Sequence, residues 1–258
     1  MPLNSAFHDL PSQCTLVIPV HNESHRWNFS FWEQILQNEK LSWIFVDDGS
    51  TDQSSEILRQ ISENRNVSVL TLQFNQGKAE AIRQGFLSIK SAPNPVKYVG
   101  FLDADGAIDI NALQSFLNSA LITMNGKNIK SVWASRVKLA GWNITRSPFR
   151  HFVGRVIHTI IGIFFQPLPY DSQCGLKIFE TNPEFWDCLV QPFRTRWFFD
   201  LEILIRFQKL NSSQMPLLEV PLENWREVSG GHLKFKSIFK VFDEIIKIVY
   251  FSRKKAKY

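Results

Sequence analysis

The sequence predicts an α/β protein in which a mostly parallel sheet is flanked by helices. The first observation is that short apolar, β-branched runs alternate with segments of roughly 10–15 residues at helical spacing, as in βαβ units. The second is that polar residues follow the ends of several of these runs. The third is a length of 258 residues, 44% of them hydrophobic, which suffices for one large globular domain or two small ones.

Strands are predicted from apolar content and from the residues that end each run. Residues 14–19 (CTLVIP) stop at a proline, and residues 41–46 run into two aspartates. Residues 98–102 (YVGFL) end at a further aspartate and read as a buried strand. In chain order, the strands predicted for the first half cover residues 14–19, 41–46, 67–73, 98–102 and 131–134.

Helices are predicted in the intervals between these strands. Ser50, Thr51 and Asp52 offer N-caps for the second helix, and Asp109 offers the cap of the fourth. The helices cover residues 27–38, from the caps to residue 64, 79–90 and 110–124.

The second half of the chain differs, because single basic residues interrupt its apolar segments. Residues 152–165 contain Arg155 and His158 and fit either a core helix or an interfacial helix lying on a membrane. Residues 238–250 carry a broad apolar stripe that packs either on the body of the protein or on lipid. The remaining elements are a polar turn with a short strand at 171–180, helices at 182–190 and 197–210, and a strand at 217–220.

The composition limits the classes of binding partner and the cellular compartment that we expect for this protein. A net charge of +5 permits phosphate-bearing ligands, but the basic residues are not interleaved with aromatic ones on a strand face, so we expect no nucleic-acid binding. Three cysteines without zinc-like spacing favour a reducing compartment. The first residues lack a signal-peptide pattern, and no stretch has the roughly 18–20 apolar residues of a spanning helix. We therefore expect a cytoplasmic protein.

The strand ends carry candidate ligand-binding residues, because ligands bind beyond the carboxyl ends of strands in a parallel sheet. Asp103 and Asp105 lie one residue apart on a turn and offer oxygen ligands to a hard divalent cation that bridges a phosphate. Single candidates have plainer interpretations, such as a helix cap for Asp47 or a solvated lysine for Lys78. The convergence of the set favours a site. Its members are Glu23, Asp47, Asp48, Lys78, Asp103 and Asp105.

An ordered set of motifs over residues 15–225 resembles inverting GT-A glycosyltransferases of family 2. Within that family it is most similar to the polyprenol-phosphate hexosyltransferases, the dolichyl-phosphate glucose and mannose synthases. A lone DxD motif is weak evidence, whereas the ordered set is specific. The motifs are residues 19–23 (PVHNE), 46–52 (VDDGSTD), 75–78 (NQGK), 103–107 (DADGA), 135–136 (SR), 146–150 (RSPFR), 171–177 (DSQCGLK), 199–202 (FDLE) and 220–225 (VPLENW).

The resemblance implies a nucleotide-sugar donor and a metal. Asp103 and Asp105 would hold Mg²⁺ or Mn²⁺ on the donor diphosphate. Ala107 stands where mannose-transferring relatives typically carry Gln, which favours UDP-glucose over GDP-mannose, and His21 replaces the usual tyrosine. The implied donor-binding residues are Pro19, His21, Glu23, Asp47, Asp48, Lys78, Asp103, Ala104 and Asp105.

On the acceptor side the resemblance implies a lipid phosphate, which is already ionised and needs cations to align it. The implied acceptor-binding residues are Arg136, Arg146, Arg150, Asp171, Gln173 and Lys177, and the implied catalytic residues are Asp103, Asp105, Arg136 and Asp200. Alternatives left open are another donor such as GDP-mannose or UDP-GlcNAc, another lipid or a soluble acceptor, and an inactive sugar-nucleotide-binding protein. The intact DxD motif and arginines argue against the last.

The resemblance also divides the chain. Residues 1–225 would form the GT-A domain, with a nucleotide half at 14–135 and an acceptor half at 136–225. Residues 226–258 would form an amphipathic helix and a basic tail. That tail fits either a solvated end or membrane contact. We expect a peripheral enzyme on the cytoplasmic face of a membrane, held by residues 149–165, residues 238–251 and the tail.

Overall fold

The protein is built around a seven-stranded sheet. The computed structural model describes residues 14–38, 40–145, 147–166, 168–228 and 235–253, and leaves out the side chains of 148–151 and 235–240. The strands of the main sheet are β1 (Cys14–Val20), β2 (Leu41–Asp47), β3 (Val67–Thr71), β4 (Tyr98–Leu102), β5 (Ser131–Ser135), β7 (Leu176–Glu180) and β8 (Leu217–Pro221). Two short strands, β6 (Asn143–Thr145) and β9 (Asn224–Arg226), pair with each other in a second sheet.

The main sheet is mostly parallel, which confirms the predicted fold class. Its strand order is β3-β2-β1-β4-β7-β5-β8. The pairs of β1 with β2, β1 with β4, β2 with β3, and β5 with β8 are parallel. β7 is the exception, since it lies between β4 and β5 and runs antiparallel to both. Because of this insertion, the segment that precedes β7 lies beside the end of β4.

Helices cover both faces of the sheet. They are α1 (Phe29–Leu36), α2 (Ser54–Ile61), α3 (Lys78–Lys90), α4 (Ile110–Gly126), α5 (Pro148–Gly162), α6 (Pro183–Asp187), α7 (Phe199–Asn211) and α8 (Phe235–Arg253). A single turn of 3₁₀ helix, Ser24–Arg26, follows β1.

Side-chain alternation along the strands divides the core in two. On β1, Leu16 and Ile18 face the cluster that contains α1, α2 and α4, whereas Val17 faces the cluster that contains α3 and α5 to α8. Burial on both faces explains why the strands are near-continuous apolar runs. It also leaves the strand ends as the place where polar side chains reach solvent.

The boundaries of one predicted helix differ from the structure because of tertiary partners. The helix predicted at 182–190 ends at Asp187 as α6. The guanidinium of Arg206 donates to the carbonyl oxygens of Cys188, Gln191 and Pro192. These bonds satisfy carbonyls of the segment that follows α6, where Pro192 has no N–H with which to continue a helix.

Candidate active site

Two cavities meet at the turn that follows β4. A cavity of about 240 Å³ lies over the ends of β1 and β2, and one of about 500 Å³ extends toward α5 and α8. After the predicted roles of the residues that line them, we call them the donor cavity and the acceptor cavity. Arg26, Asp103 and Asp105 line both. The predicted DxD carboxylates therefore stand at the junction of the two.

Asp103 is held in place by its neighbours. Its backbone N–H donates to the carbonyl of Gly175 at 3.0 Å, just before β7. Its side chain fills the space that a Cβ on Gly175 would occupy, since that atom would lie 2.8 Å from Asp103 Oδ1 and closer still to Oδ2. Lys78 Nζ lies 2.5 Å from Asp103 Oδ1 in an ion pair. Apart from this ion pair, no described residue donates a hydrogen bond to that buried oxygen.

Asp105 carries negative charge that its surroundings leave poorly compensated. Burial, together with the charge of Asp103, raises the pKa of Asp105, although the N–H of Ala107 donates to its Oδ1 at 3.1 Å. A carboxylate pair of this kind is stabilised by a cation. Within the described ranges, no group of three or more His, Cys, Asp and Glu side chains forms a metal site. Two carboxylates are the kind of ligand set used by a metal that takes its other ligands from substrate and water, as Mg²⁺ does.

The structure brings the predicted donor-binding residues together, with one exception. Those that line the donor cavity are Pro19, His21, Glu23, Asp48, Lys78, Asp103, Ala104 and Asp105. Asp48 accepts hydrogen bonds from the N–H groups of Gln76 and Gly77 at 2.7 and 2.8 Å, which fixes the loop before α3 against the cavity.

Asp47 is the exception, because it does not reach the donor cavity. It is buried, and its two oxygens accept from the N–H of Ser50 at 2.9 Å and the hydroxyl of Ser55 at 2.5 Å. The structure therefore gives Asp47 a supporting position in the turn between β2 and α2 and does not place it against the donor.

Arg26 is a site residue that the sequence did not indicate. Its guanidinium pairs with the carboxylate of Glu23, three residues earlier. The hydrogen bonds that Arg26 donates to Glu23 raise the pKa of Arg26 against the effect of burial, and the charges of Asp105 and Asp103 add to the rise. The only signal was the i,i+3 spacing to Glu23, which is too common to single out a residue.

Arg136 and Asp171 form a fixed pair on the wall of the acceptor cavity. Arg136 Nε and Nη2 donate to the two oxygens of Asp171 at 2.6 and 2.7 Å, and the Arg136 N–H donates to the same carboxylate at 2.9 Å. Burial opposes the charge, but these bonds outweigh it and raise the pKa of Arg136. The guanidinium also lies 5.1 Å from the ring centroid of Trp225. The backbone N–H of Asp171 donates a hydrogen bond to Glu219 Oε1 at 2.9 Å.

Lys177 and Asp200 lie beneath the site and not on its surface. Lys177 is 1% exposed, and its ammonium donates to the carbonyls of Ser172 and Cys174 and to the Asp200 carboxylate. A lysine ammonium has three donors, so all of them are used. Burial raises the pKa of Asp200, although Lys177 acts to lower it. Neither side chain lines the donor cavity or the acceptor cavity. The structure therefore does not place them where they could make the predicted contacts with acceptor or sugar.

The other acceptor residues divide between described and undescribed parts of the chain. Gln173 lines the acceptor cavity, and its amide nitrogen donates to the carbonyl of Trp197 at 3.1 Å. Arg146 lies outside the described residues, as does the side chain of Arg150, so their predicted contacts remain predictions. The basic tail beyond residue 253 also lies outside them.

Apolar side chains from α5 and α8 form much of the acceptor cavity wall. Ile157 and Ile161 contribute from α5, and Val241, Phe242 and Ile245 contribute from α8. Large apolar side chains on or beside the same helices are exposed: Phe152 and Val156 on α5, Ile163 just after it, and Phe242, Ile246 and Tyr250 on α8. Among the described residues, no helix combines the length and the apolar content needed to cross a bilayer.

Comparison with known proteins agrees with this geometry. The sequence model of the family described as Glycosyl transferase family 2 matches residues 15–160. A dolichyl-phosphate beta-glucosyltransferase of Trichomonas vaginalis is 29% identical over 266 residues, covering 98% of this chain and 75% of that protein. A dolichyl-phosphate beta-glucosyltransferase of Dictyostelium discoideum is 31% identical over 252 residues, covering 93% of this chain and 69% of that protein.

A solved structure establishes the fold independently. The crystal structure of Mycobacterium tuberculosis glucosyl-3-phosphoglycerate synthase with Mn²⁺, uridine-diphosphate-glucose and phosphoglyceric acid superposes with a TM-score of 0.62. It shares 13% identity and covers 98% of this chain and 83% of that one. The match confirms the GT-A fold. With the family model matching more than half of its length, the chain belongs to glycosyl transferase family 2 and is a glycosyltransferase.

Proposed function

We propose that the protein transfers glucose from UDP-glucose to a dolichyl or other polyprenyl phosphate, with inversion and with the help of Mg²⁺ or Mn²⁺. The observation that carries the proposal is the meeting of two cavities at Asp103 and Asp105, a donor cavity lined mostly by polar and charged residues and a largely apolar acceptor cavity. The names of the relatives support glucose as the sugar and dolichyl phosphate as the acceptor.

Asp103 and Asp105 would hold the metal. When bound, it supplies Lewis-acid stabilisation to the negative charge of a diphosphate. Lys78 lies in an ion pair with Asp103, and Asp103 raises its pKa against the effect of burial, so the lysine stays charged beside the donor cavity. Lys78 and Arg26 would thus bring positive charge to the leaving diphosphate.

Arg136 would align the acceptor phosphate. Asp171 occupies Nε and Nη2, and among the described residues none accepts a hydrogen bond from Nη1. A guanidinium held rigidly on one side can present its remaining donors to a phosphate oxygen with little further loss of entropy. Because the phosphate is already ionised, we assign the protein no general base. In our proposal, Lys177 and Asp200 support the 171–177 segment from beneath.

The apolar part of the acceptor cavity would take the first isoprene units of the lipid. Its walls come largely from α5 and α8, and three of the side chains that line it are also exposed: Phe152, Val156 and Phe242. We propose that these helices rest on the cytoplasmic face of a membrane, with residues 14–135 binding the donor and residues 136–225 the acceptor. An interfacial helix binds by burying its apolar face at the headgroup boundary.

A panel of donors and acceptors tests the proposal. UDP-glucose, UDP-GlcNAc, UDP-galactose and GDP-mannose are each incubated with a polyprenyl phosphate and Mg²⁺ or Mn²⁺, and the lipid product is analysed by mass spectrometry. We expect a hexosyl lipid from UDP-glucose only. Turnover with GDP-mannose alone would contradict the donor assignment. A parallel assay replaces the polyprenyl phosphate with 3-phosphoglycerate. If 3-phosphoglycerate is glucosylated and polyprenyl phosphate is not, the assignment of a lipid acceptor is contradicted.

A further inference from the structure

The segment between α6 and α7 carries Trp197 and Phe198 into the wall of the acceptor cavity. Its first part is held by α7. The carboxylate of Glu202 accepts hydrogen bonds from the N–H groups of Arg194 and Thr195, at 2.9 and 3.0 Å to Oε2. These anchors end at residue 195, just before the residues that reach the cavity.

Glu244 supplies the next anchor from α8. The N–H of Arg196 donates to its Oε1 at 2.9 Å, and the N–H of Trp197 donates to its Oε2 at 2.7 Å. The residue is 8% exposed, so its two bonds are largely shielded from water. Such charge-assisted bonds are stronger than neutral ones. The backbone of residues 196–197 is thus fixed by a carboxylate that comes from the C-terminal helix.

The anchored residues lead directly to the acceptor side. The carbonyl of Trp197 accepts a hydrogen bond from Gln173, and both residues line the acceptor cavity. The donor side depends less on Glu244. Arg196 packs against Gly77, but Gly77 is held separately by its N–H bond to Asp48 at 2.8 Å.

We propose that Glu244 is a positioning residue for the acceptor, acting through the backbone of Arg196 and Trp197. The inference rests on the proposed phosphate acceptor and makes α8 part of the acceptor site. The hydrogen bonds of Glu244 are not needed to attach α8 to the protein, because Val241, Ile245 and Ile248 already pack this helix against the core.

The test compares two neighbouring acidic residues on α8. Glu244→Gln keeps the shape but replaces one acceptor oxygen with an amide nitrogen that cannot accept. Asp243→Asn is the matched control, because Asp243 is exposed and forms an ion pair with Lys247 one turn away. Glu244→Asp keeps both oxygens on a shorter arm and should restore part of the function.

The first measurement is hydrogen exchange of backbone amides followed by mass spectrometry. In Glu244→Gln, exchange should accelerate at residues 196–197 and stay slow at residues 194–195, which Glu202 holds. The control should match the wild type throughout. Unchanged exchange at residues 196–197 would overturn the inference, and this result does not depend on any substrate.

The second measurement is kinetics in detergent with a short-chain isoprenyl phosphate, where membrane docking is not needed. Glu244→Gln should raise KM for the acceptor roughly tenfold, as expected for loss of a hydrogen bond to a charged group, with KM for UDP-glucose near the wild-type value. An unchanged acceptor KM, an equal rise in both KM values, or the same effect in Asp243→Asn would overturn the inference. If the wild type uses a different phosphate acceptor, the proposed lipid fails, and the same comparison is made on that acceptor.

Discussion

At the scale of single residues, contacts that cross between segments define the site. Asp103 occupies space that only a glycine at position 175 leaves open, and Lys177 neutralises a carboxylate that burial would otherwise make unfavourable. Sequence motifs marked both positions. The contacts show that the 171–177 motif supports Asp103 of the DxD motif, which the spacing along the chain does not reveal.

Replacing Gly175 with alanine should displace the Asp103 carboxylate. The added methyl would overlap that side chain, so the Gly175→Ala variant should lose roughly 10–100-fold in kcat/KM while remaining folded. The matched control is Gly126→Ala at the end of α4, where an added Cβ meets nothing within 4 Å. Steady-state kinetics checks the prediction, and full activity in Gly175→Ala would contradict the packing against Asp103.

Replacing Lys177 with methionine should destabilise the protein more than it weakens acceptor binding. The change leaves the Asp200 charge buried without its partner, which typically costs about 3–5 kcal/mol in the free energy of unfolding. Urea unfolding measures the loss, and the Lys177→Met/Asp200→Leu double variant should recover part of it. Normal stability together with a raised acceptor KM would instead support the direct acceptor contact that the resemblance implies.

At the scale of secondary-structure elements, α8 has two faces with different environments. Val241, Ile245 and Ile248 are buried against the core, while Ile246 and Tyr250 are 67% and 65% exposed. A helix with this division is amphipathic, and its exposed apolar side chains are available to a lipid surface. The apolar stripe predicted from the sequence could pack on the body of the protein or on lipid. The structure shows that one face of the helix packs on the body of the protein.

Removing the exposed apolar side chains of α8 should weaken membrane binding. The Ile246→Ser/Tyr250→Ser variant should bind anionic lipid vesicles roughly tenfold or more weakly, because less apolar surface enters the interface. Its unfolding temperature should stay near the wild-type value, since both side chains are exposed. Ile122→Ser is the control, because Ile122 is exposed on α4, a helix that packs on the opposite face of the sheet. Vesicle sedimentation measures binding, and an equal effect of both variants would argue against a specific α8 surface.

At the scale of the whole molecule, the sheet brings distant segments to one edge. β1, β2 and β4 run parallel, so the polar residues after each strand meet, and antiparallel β7 brings residues 171–175 to the same place. Asp103 and Asp105, the proposed metal ligands, stand between the two cavities as a result. Binding of metal and donor should therefore be coupled.

Removing the metal should reduce the stabilisation of the protein by UDP-glucose. With EDTA, UDP-glucose should raise the unfolding temperature little, whereas with Mn²⁺ the same donor should raise it clearly, because a ligand at about 100 times its Kd adds roughly 2.7 kcal/mol. The Asp105→Asn variant should lose the metal-dependent part of this gain and most of the transfer activity. Calorimetry with and without Mn²⁺ checks the expectation, and equal stabilisation with EDTA would contradict the assignment of both aspartates.

The sequence by itself determined the fold class, the position of the DxD pair after a strand and most of the residues that line the donor cavity. Each of these depends on local order: apolar runs specify strands, and the residues that follow parallel strands must share an edge. Only the tertiary structure decided the antiparallel place of β7, the position of Arg26, the buried pairing of Lys177 with Asp200 and the anchoring by Glu244. These features join residues through packing between separate segments, and a linear pattern does not record which side chains meet across the core.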